Sequence, residues 1–267
     1  MSFDNFDKYN NNFRRDESTD EKDENLFIGR NAVLELLKST RETDKLYVQK
    51  GEREGSITLI VAKAVEKRIP VIEVDKRRLD GMSGGGVHQG VAAVASETAY
   101  AEVDDMLALA AERGEKPFIV ICDSVNDPHN LGAIIRTAEC AGAHGVIIPK
   151  RRSVSVNGTV AKASAGAVFH MLIARVSNLS SAIRFLKDNN VWVWALEAEG
   201  TPYYKSEFDC GCAFVLGGEG DGVSRLVKDS SDFVVSIPMF GRINSLNVSN
   251  AGAIVLFEAA KQRALKK

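Results

Sequence analysis

A chain of 267 residues exceeds the ~100–200 of one typical domain, so two domains are expected. Hydrophobic residues make up 45% and charged residues 26%, a globular balance, and no apolar run reaches the ~18 residues of a membrane span. The net charge is −2, but residues 1–25 hold eight acids against four bases, so the remainder carries +2, which permits a polyanionic partner without demanding one.

In chain order, residues 1–25 are polar and nearly free of aliphatics, and a disordered acidic tail is expected there. No charged start followed by an apolar stretch suggests a secretory leader, and a cytoplasmic location is expected. Residues 26–97 form a first α/β block. Helical periodicity falls at 31–37 and 57–67, and strands are expected at 45–49, 71–74 and 91–95, the last after the loop Gly84-Gly-Gly-Val-His-Gln-Gly90. Residues 98–116 are a linker that becomes a helix from Val103 to Arg113. From 117 to 267, short continuous apolar strands alternate with helices, the pattern of a parallel sheet covered on both faces. Strands are expected at 118–122, 145–148, 171–174, 191–196, 213–216 and 233–237. Helices are expected at 131–141, 179–188, 222–227 and 248–265. Cys122 and Cys140 lie in apolar, core-like runs. Cys210-Gly-Cys212 has no second Cys or His pair near it, so reduced thiols and no metal site are expected.

Three loops concentrate polar residues at the carboxyl ends of strands, where open α/β sheets bind ligands. The first leads from Asp123 to Asn130, placed as a helix N-cap, and on to Arg136, which interrupts an apolar helix face and needs a partner if buried. The second, Leu216-Gly-Gly-Glu219-Gly-Asp-Gly222, fails the dinucleotide fingerprint in spacing and in position. Its acid would repel a phosphate and suits a hydroxyl, an amine or a cation. The third runs from Ile237 to Asn250. Ser245, Asn247, Ser249 and Asn250 are more polar groups than a cap needs.

These stretches, in order, resemble the three motifs of the SpoU/TrmH ribose methyltransferases: Asn130-Leu-Gly-Ala-Ile-Ile-Arg136, Leu216-Gly-Gly-Glu219-Gly-Asp-Gly, and Ile237-Pro-Met through Ser245-Leu-Asn247-Val-Ser. The first block resembles the substrate-binding domain found ahead of many such enzymes, itself similar to small ribosomal proteins that bind bent RNA. The resemblance implies a parallel-sheet SPOUT catalytic domain with a C-terminal trefoil knot, a homodimer, and S-adenosylmethionine as cofactor. It implies Leu196, Gly217, Ile237 and Leu246 as cofactor contacts, and Asn130, Arg136, Glu219, Ser245 and Asn247 as catalytic residues. The implied reaction is methylation of a ribose 2'-hydroxyl in RNA. The arginine matching Arg136 is the family's suggested base, yet a guanidinium holds its proton near neutral pH. Clamping a phosphate and stabilising an alkoxide is the other reading, with Glu219 or water taking the proton.

Arg151, Arg152 and Lys162 are candidates for phosphate contact. His88-Gln89 reads as an RNA contact or a domain-internal turn. A guanosine of 23S ribosomal RNA is the favoured substrate, because similar two-domain members act there and smaller tRNA members often lack the first domain. The competing readings are a tRNA ribose methyltransferase, an RNA-binding assembly factor without catalysis, and a nucleotide-dependent oxidoreductase. The last fails on glycine spacing.

Overall fold

Apolar strands from the two halves of the chain build two separate sheets in the computed structural model, which describes residues 25–51, 55–96 and 99–266. The expected acidic tail, up to residue 24, lies outside the described residues. The first half contains β1 (Leu26–Ile28), α1 (Arg30–Lys38), β2 (Thr43–Gln49), α2 (Ser56–Glu66), β3 (Val71–Val74), α3 (Lys76–Met82) and β4 (Val91–Ala95). Its sheet has the order β1-β4-β2-β3. Sequence periodicity misses α3, because Leu79 is its one buried residue. The helix is started by Asp75, whose carboxylate accepts from Arg78 N–H at 2.8 Å.

The second half contains α4 (Val103–Glu112), β5 (Phe118–Asp123), α5 (Pro128–Cys140), β6 (Gly145–Pro149), α6 (Gly158–Ala163), β7 (Leu172–Val176), α7 (Leu179–Asp188), β8 (Trp192–Glu197), β9 (Thr201–Pro202), β10 (Cys212–Gly217), α8 (Arg225–Ser230), β11 (Phe233–Ser236) and α9 (Val248–Leu265). Its seven strands run in the order β7-β6-β5-β10-β8-β11-β9, all pairings parallel. Late strands are thus interleaved among early ones, β10 lying between β5 and β8. One face is covered by α4, α7 and α8 through Met106, Ile183, Leu186 and Val227. The other is covered by α5 and α9 through Leu131, Ile135, Val255 and Leu256. Burial of both faces explains why β5 and β10 read as continuous apolar runs.

Three sequence expectations change. Asn130 is not the cap of α5. Asp127 is, its carboxylate accepting from His129 N–H at 2.9 Å, and the helix begins with Pro128, a residue suited to the first helical position. The helix expected from Gly222 begins instead at Arg225, because Gly222 holds a left-handed φ of +66°. Cys140 is exposed, whereas Cys122 is buried and its thiol is pushed up to about 12 by desolvation, with a lesser contribution from the neighbouring Asp123.

Beneath the sheet, at the amino end of β5, His144 is 1% exposed. Its Nδ1 accepts from Phe118 N–H at 3.0 Å, and its Nε2 meets Glu115 Oε2 at 3.2 Å. A second ring proton would point at the Phe118 N–H. Burial and that geometry hold the imidazole below its ordinary pKa, against a smaller upward pull from Glu115. The folded state therefore favours neutral His144, and its contribution is present above the unfolded value of about 6.5 and lost as pH falls below it. In thermal melts the midpoint is expected to fall from pH 7 to pH 5 more steeply in the native chain than in His144→Gln. Parallel curves would remove this assignment.

Candidate active site

Parallel strands bring their carboxyl ends to one edge of the sheet, and a cleft of about 620 Å³ opens there. The end of β8, with Leu196 and Glu197, forms one side, and the loops after β10 and β11 form the others. The four residues implied as cofactor contacts, Leu196, Gly217, Ile237 and Leu246, all line it, as do Glu219, Ser245 and Asn247.

The glycine loop after β10 is drawn inward by two carboxylates. Asp123, 5% exposed at the end of β5, accepts from Ser224 N–H at 2.8 Å. Glu197, at the end of β8, accepts from Val223 N–H at 2.8 Å. This folding leaves no room for side chains. A Cβ on Gly217 would meet the backbone of Gly222 and Val223, and one on Gly218 would meet the carbonyl of Ser124. Both positions require glycine for the loop's own closure, and both line the cleft. Sequence reasoning passes over Asp123 and Glu197 as site residues. The available signal is an acid ending a buried apolar strand, where an uncapped loop offers N–H donors.

The three loops meet in one hydrogen-bonded triangle. Asn130 Nδ2 donates to Glu219 Oε1 at 2.7 Å, Asn247 Nδ2 donates to the same oxygen at 2.9 Å, and Asn247 Nδ2 also donates to Asn130 Oδ1 at 3.0 Å. Asn247 in turn caps α9, its Oδ1 accepting from Ser249 N–H at 2.9 Å and from Ser249 Oγ at 2.6 Å. Asn130, buried in the first turn of α5, is thus spent on its neighbours and not on its own helix end. Glu219 lines the cleft, and its Oε2 has no hydrogen-bond partner among the described residues.

The remaining candidates lie elsewhere. Arg136 is exposed on α5, without a salt bridge among the described residues and outside the cleft lining of its own chain. It does not break a buried face, because it shares an outer stripe with His129, Ala133 and Cys140, all solvent-accessible. Arg151 and Arg152 are exposed after β6, beside the first loop, where Ser153 Oγ donates to Val125 O at 3.4 Å. Lys162 sits on α6 near the first domain. The cleft itself is lined by Glu197, Glu219 and Asp221 and by no basic residue. His88 is 6% exposed and accepts at Nδ1 from Gly90 N–H at 2.9 Å, a bond within its own turn. Among the described residues no group of three or more His, Cys, Asp or Glu could hold a metal ion. No helix there is long and apolar enough to cross a membrane.

The loop geometry gives a direct test. Gly218→Ala is expected to lower the unfolding free energy by about 1–3 kcal/mol, because backbone must shift to admit the methyl group. Gly241→Ala, in open space, should change it by less than about 0.5 kcal/mol. Equal denaturation midpoints for the two variants would contradict the packing described.

Comparison with known proteins agrees with this geometry. Residues 117–257 match the model of the SpoU rRNA Methylase family, and residues 26–101 match that of the RNA 2'-O ribose methyltransferase substrate-binding domain. The chain is 41% identical over 237 residues to the putative TrmH family tRNA/rRNA methyltransferase YacO of Bacillus subtilis (strain 168), covering 88% of this chain and 95% of that protein. It is 42% identical over 242 residues to the putative TrmH family tRNA/rRNA methyltransferase of Staphylococcus aureus (strain MRSA252), covering 90% of this chain and 97% of that one. Among solved structures, AviRb of Streptomyces viridochromogenes in complex with AdoMet superposes with a TM-score of 0.75 at 22% identity, covering 90% of each chain, a likeness of fold. The AdoMet-bound rRNA methyltransferase of Sinorhizobium meliloti gives 0.72 at 27% identity, covering 88% of this chain and 86% of that one. The chain belongs to the SpoU/TrmH family of S-adenosylmethionine-dependent RNA ribose 2'-O-methyltransferases.

Proposed function

We propose that this chain methylates the ribose 2'-hydroxyl of a guanosine in 23S ribosomal RNA, acting in the cytoplasm as a homodimer. The observation that carries the assignment is the division of charge: the cleft is lined by Glu219, Asp221 and Glu197, the last paired with Lys228 at 3.5 Å, and by no basic residue, with exposed basic side chains outside it. An acidic cleft suits a sulfonium cation and repels a nucleotide phosphate. Leu196, Ile237 and Leu246 supply apolar walls, and backbone groups at Gly217 and Gly218 supply hydrogen bonding. A volume of about 620 Å³ is within the range of cofactor sites. When bound, S-adenosylmethionine supplies an electrophilic methyl group.

The protein's part is alignment, proton acceptance and charge stabilisation. Asn130 and Asn247 fix Glu219 through Oε1, which leaves Oε2 to accept the 2'-hydroxyl proton. Ser245, on the same rim, holds the ribose or the loop. Arg136 clamps the target phosphate and stabilises the developing alkoxide, the reading of the two that fits a solvated guanidinium. Arg151, Arg152 and Lys162 hold RNA phosphates further out.

The homodimer accounts for two features of the single chain. Arg136 lies outside its own cleft and would serve a partner's. The loop after β11 and α9 present Phe240, Ile243 and Phe257, which are 96%, 73% and 50% exposed, as an apolar surface that a second copy would cover. Ribosomal RNA is favoured over tRNA by the share of chain matched. The Sinorhizobium meliloti rRNA methyltransferase matches 88% of this chain, whereas the tRNA-modifying TrmH/SpoU enzyme of A. aeolicus matches 61%, with a TM-score of 0.52.

The test is transfer of labelled methyl from S-adenosylmethionine to RNA from a strain lacking the protein, with the product nucleoside identified. Label in 2'-O-methylguanosine of large-subunit rRNA is expected, and label confined to tRNA would overturn the substrate. Arg136→Ala should lower turnover about 10²–10³-fold with cofactor affinity retained. Mixed with Glu219→Ala chains, it should recover turnover if sites are shared between copies. An equal loss of cofactor affinity would sink the role of Arg136.

A further inference from the structure

One short helix touches both the first domain and the helix that carries Asn130. α6 packs against β1 and α1 of the first domain, and also against α5. Each contact is made at a glycine. A Cβ on Gly158, the first residue of α6, would run into the carbonyl oxygen of Leu26 in β1. A Cβ on Gly132, two residues along α5 from Asn130, would stand 2.9 Å from both Val160 O and Ser164 N, at α6 and its cap. Backbone in contact with backbone has no slack to absorb a displacement, and close-packed interiors transmit it. We infer that Gly158 and Gly132 are positioning residues: through α6, docking of the first domain sets the place of α5, and with it Asn130 in the triangle that shapes the cofactor cleft. Docking of the first domain and binding of S-adenosylmethionine are then coupled, although the first domain contributes no residue to the cleft lining. The inference rests on S-adenosylmethionine as the cofactor and is independent of which RNA is methylated.

The docking surface holds one orientation. Phe27, 0% exposed, packs edge-on against Phe169 with ring centroids 5.3 Å apart. The Arg41 guanidinium lies over both rings, at 4.7 and 5.8 Å from their centroids, while its Nε donates to Ser96 O at 2.8 Å. Glu35 of α1 meets His170 Nε2 at 2.8 Å, and a Cβ on Gly166 would run into the Glu35 side chain. The chain leaving the first domain is tied down at once. Ala101 N–H donates to Ile173 O at 2.9 Å, and the Tyr100 hydroxyl accepts from Val156 N–H at 3.2 Å. One buried apolar cluster runs across the junction, from Phe27 and Leu36 through Val160 and Val168 to Leu131 and Ile135 of α5. At the far end of this path, Asn130 donates to Glu219 and accepts from Asn247. Asn130 is not in the cleft lining, so a shift of α5 is felt there through Glu219 and Asn247, which are.

The experiment is calorimetric titration of the full chain with S-adenosylmethionine, without RNA, at a temperature well below each variant's melting midpoint. Gly158→Ala is expected to weaken binding about 5–20-fold, and Arg41→Gln, which loosens the docking from the first domain, about 3–5-fold. In an Asn130→Ala background each factor should fall below about 2, because the substitutions then share a link already cut. Gly211→Ala is the control for strain alone. Its Cβ would stand 2.8 Å from Asn190 O, at the amino edge of the sheet and away from the cleft, and it should leave affinity within about twofold of native. Should Gly158→Ala fail to fold, Arg41→Gln carries the test. Native affinity in folded junction variants, the same loss with and without Asn130, or an equal loss in Gly211→Ala would overturn this inference alone. A native chain that does not bind S-adenosylmethionine would overturn the cofactor assignment and this inference with it.

Discussion

Glu219 Oε1 accepts two side-chain amides at once, one from Asn130 at the start of α5 and one from Asn247 at the start of α9. Those residues are separated by 117 positions in the chain, and the carboxylate stands between them on a third loop. Hydrogen bonds to a charged group contribute about 1.5–3 kcal/mol each, enough to hold short loops in one arrangement against their entropy. The rest of the site follows. The glycine loop is pulled down at its far end by Asp123 and Glu197 and fixed at its near end by the triangle. The cleft is the space that remains between it and the loop after β11.

Charge is arranged locally and hidden globally. The chain's net −2 conceals an acidic cleft and a basic surface loop, each built from a few residues. An acidic pocket that takes a cationic cofactor cannot itself bind the backbone of RNA. On the proposed reading, phosphate recognition is carried by residues around it.

Much of this is legible in the sequence, for physical reasons that also explain what is not. Parallel strands buried on both faces announce themselves as apolar runs, and the expected bounds of β5, β6, β8 and β10 agree with the structure to within a residue or two. The polar residues of the three loops stand out because they exceed what capping needs, and Asn130, Glu219 and Asn247 do converge. The cap of α5 lies three residues before its expected place, because Asp127-Pro128 and Asn130 offer competing capping signals and only the fold reveals that Asn130 has another partner. Arg136 looks in sequence like an interruption of an apolar face, yet its helical angle puts it with His129 and Cys140 on the solvent side. Asp123 and Glu197 escape sequence reasoning because their role is to satisfy backbone donors on a loop distant in sequence.

The most direct test of the triangle is a double-mutant cycle on S-adenosylmethionine affinity by calorimetry, using Asn130→Ala, Asn247→Ala and the pair. Asn130 does not line the cleft, so its loss can reach the cofactor only through Glu219 and Asn247. A coupling of about 1–2 kcal/mol between the two substitutions is predicted, because both act on the same Glu219 oxygen. Losses that sum to within about 0.5 kcal/mol would mean that the three loops act independently, and would contradict the account.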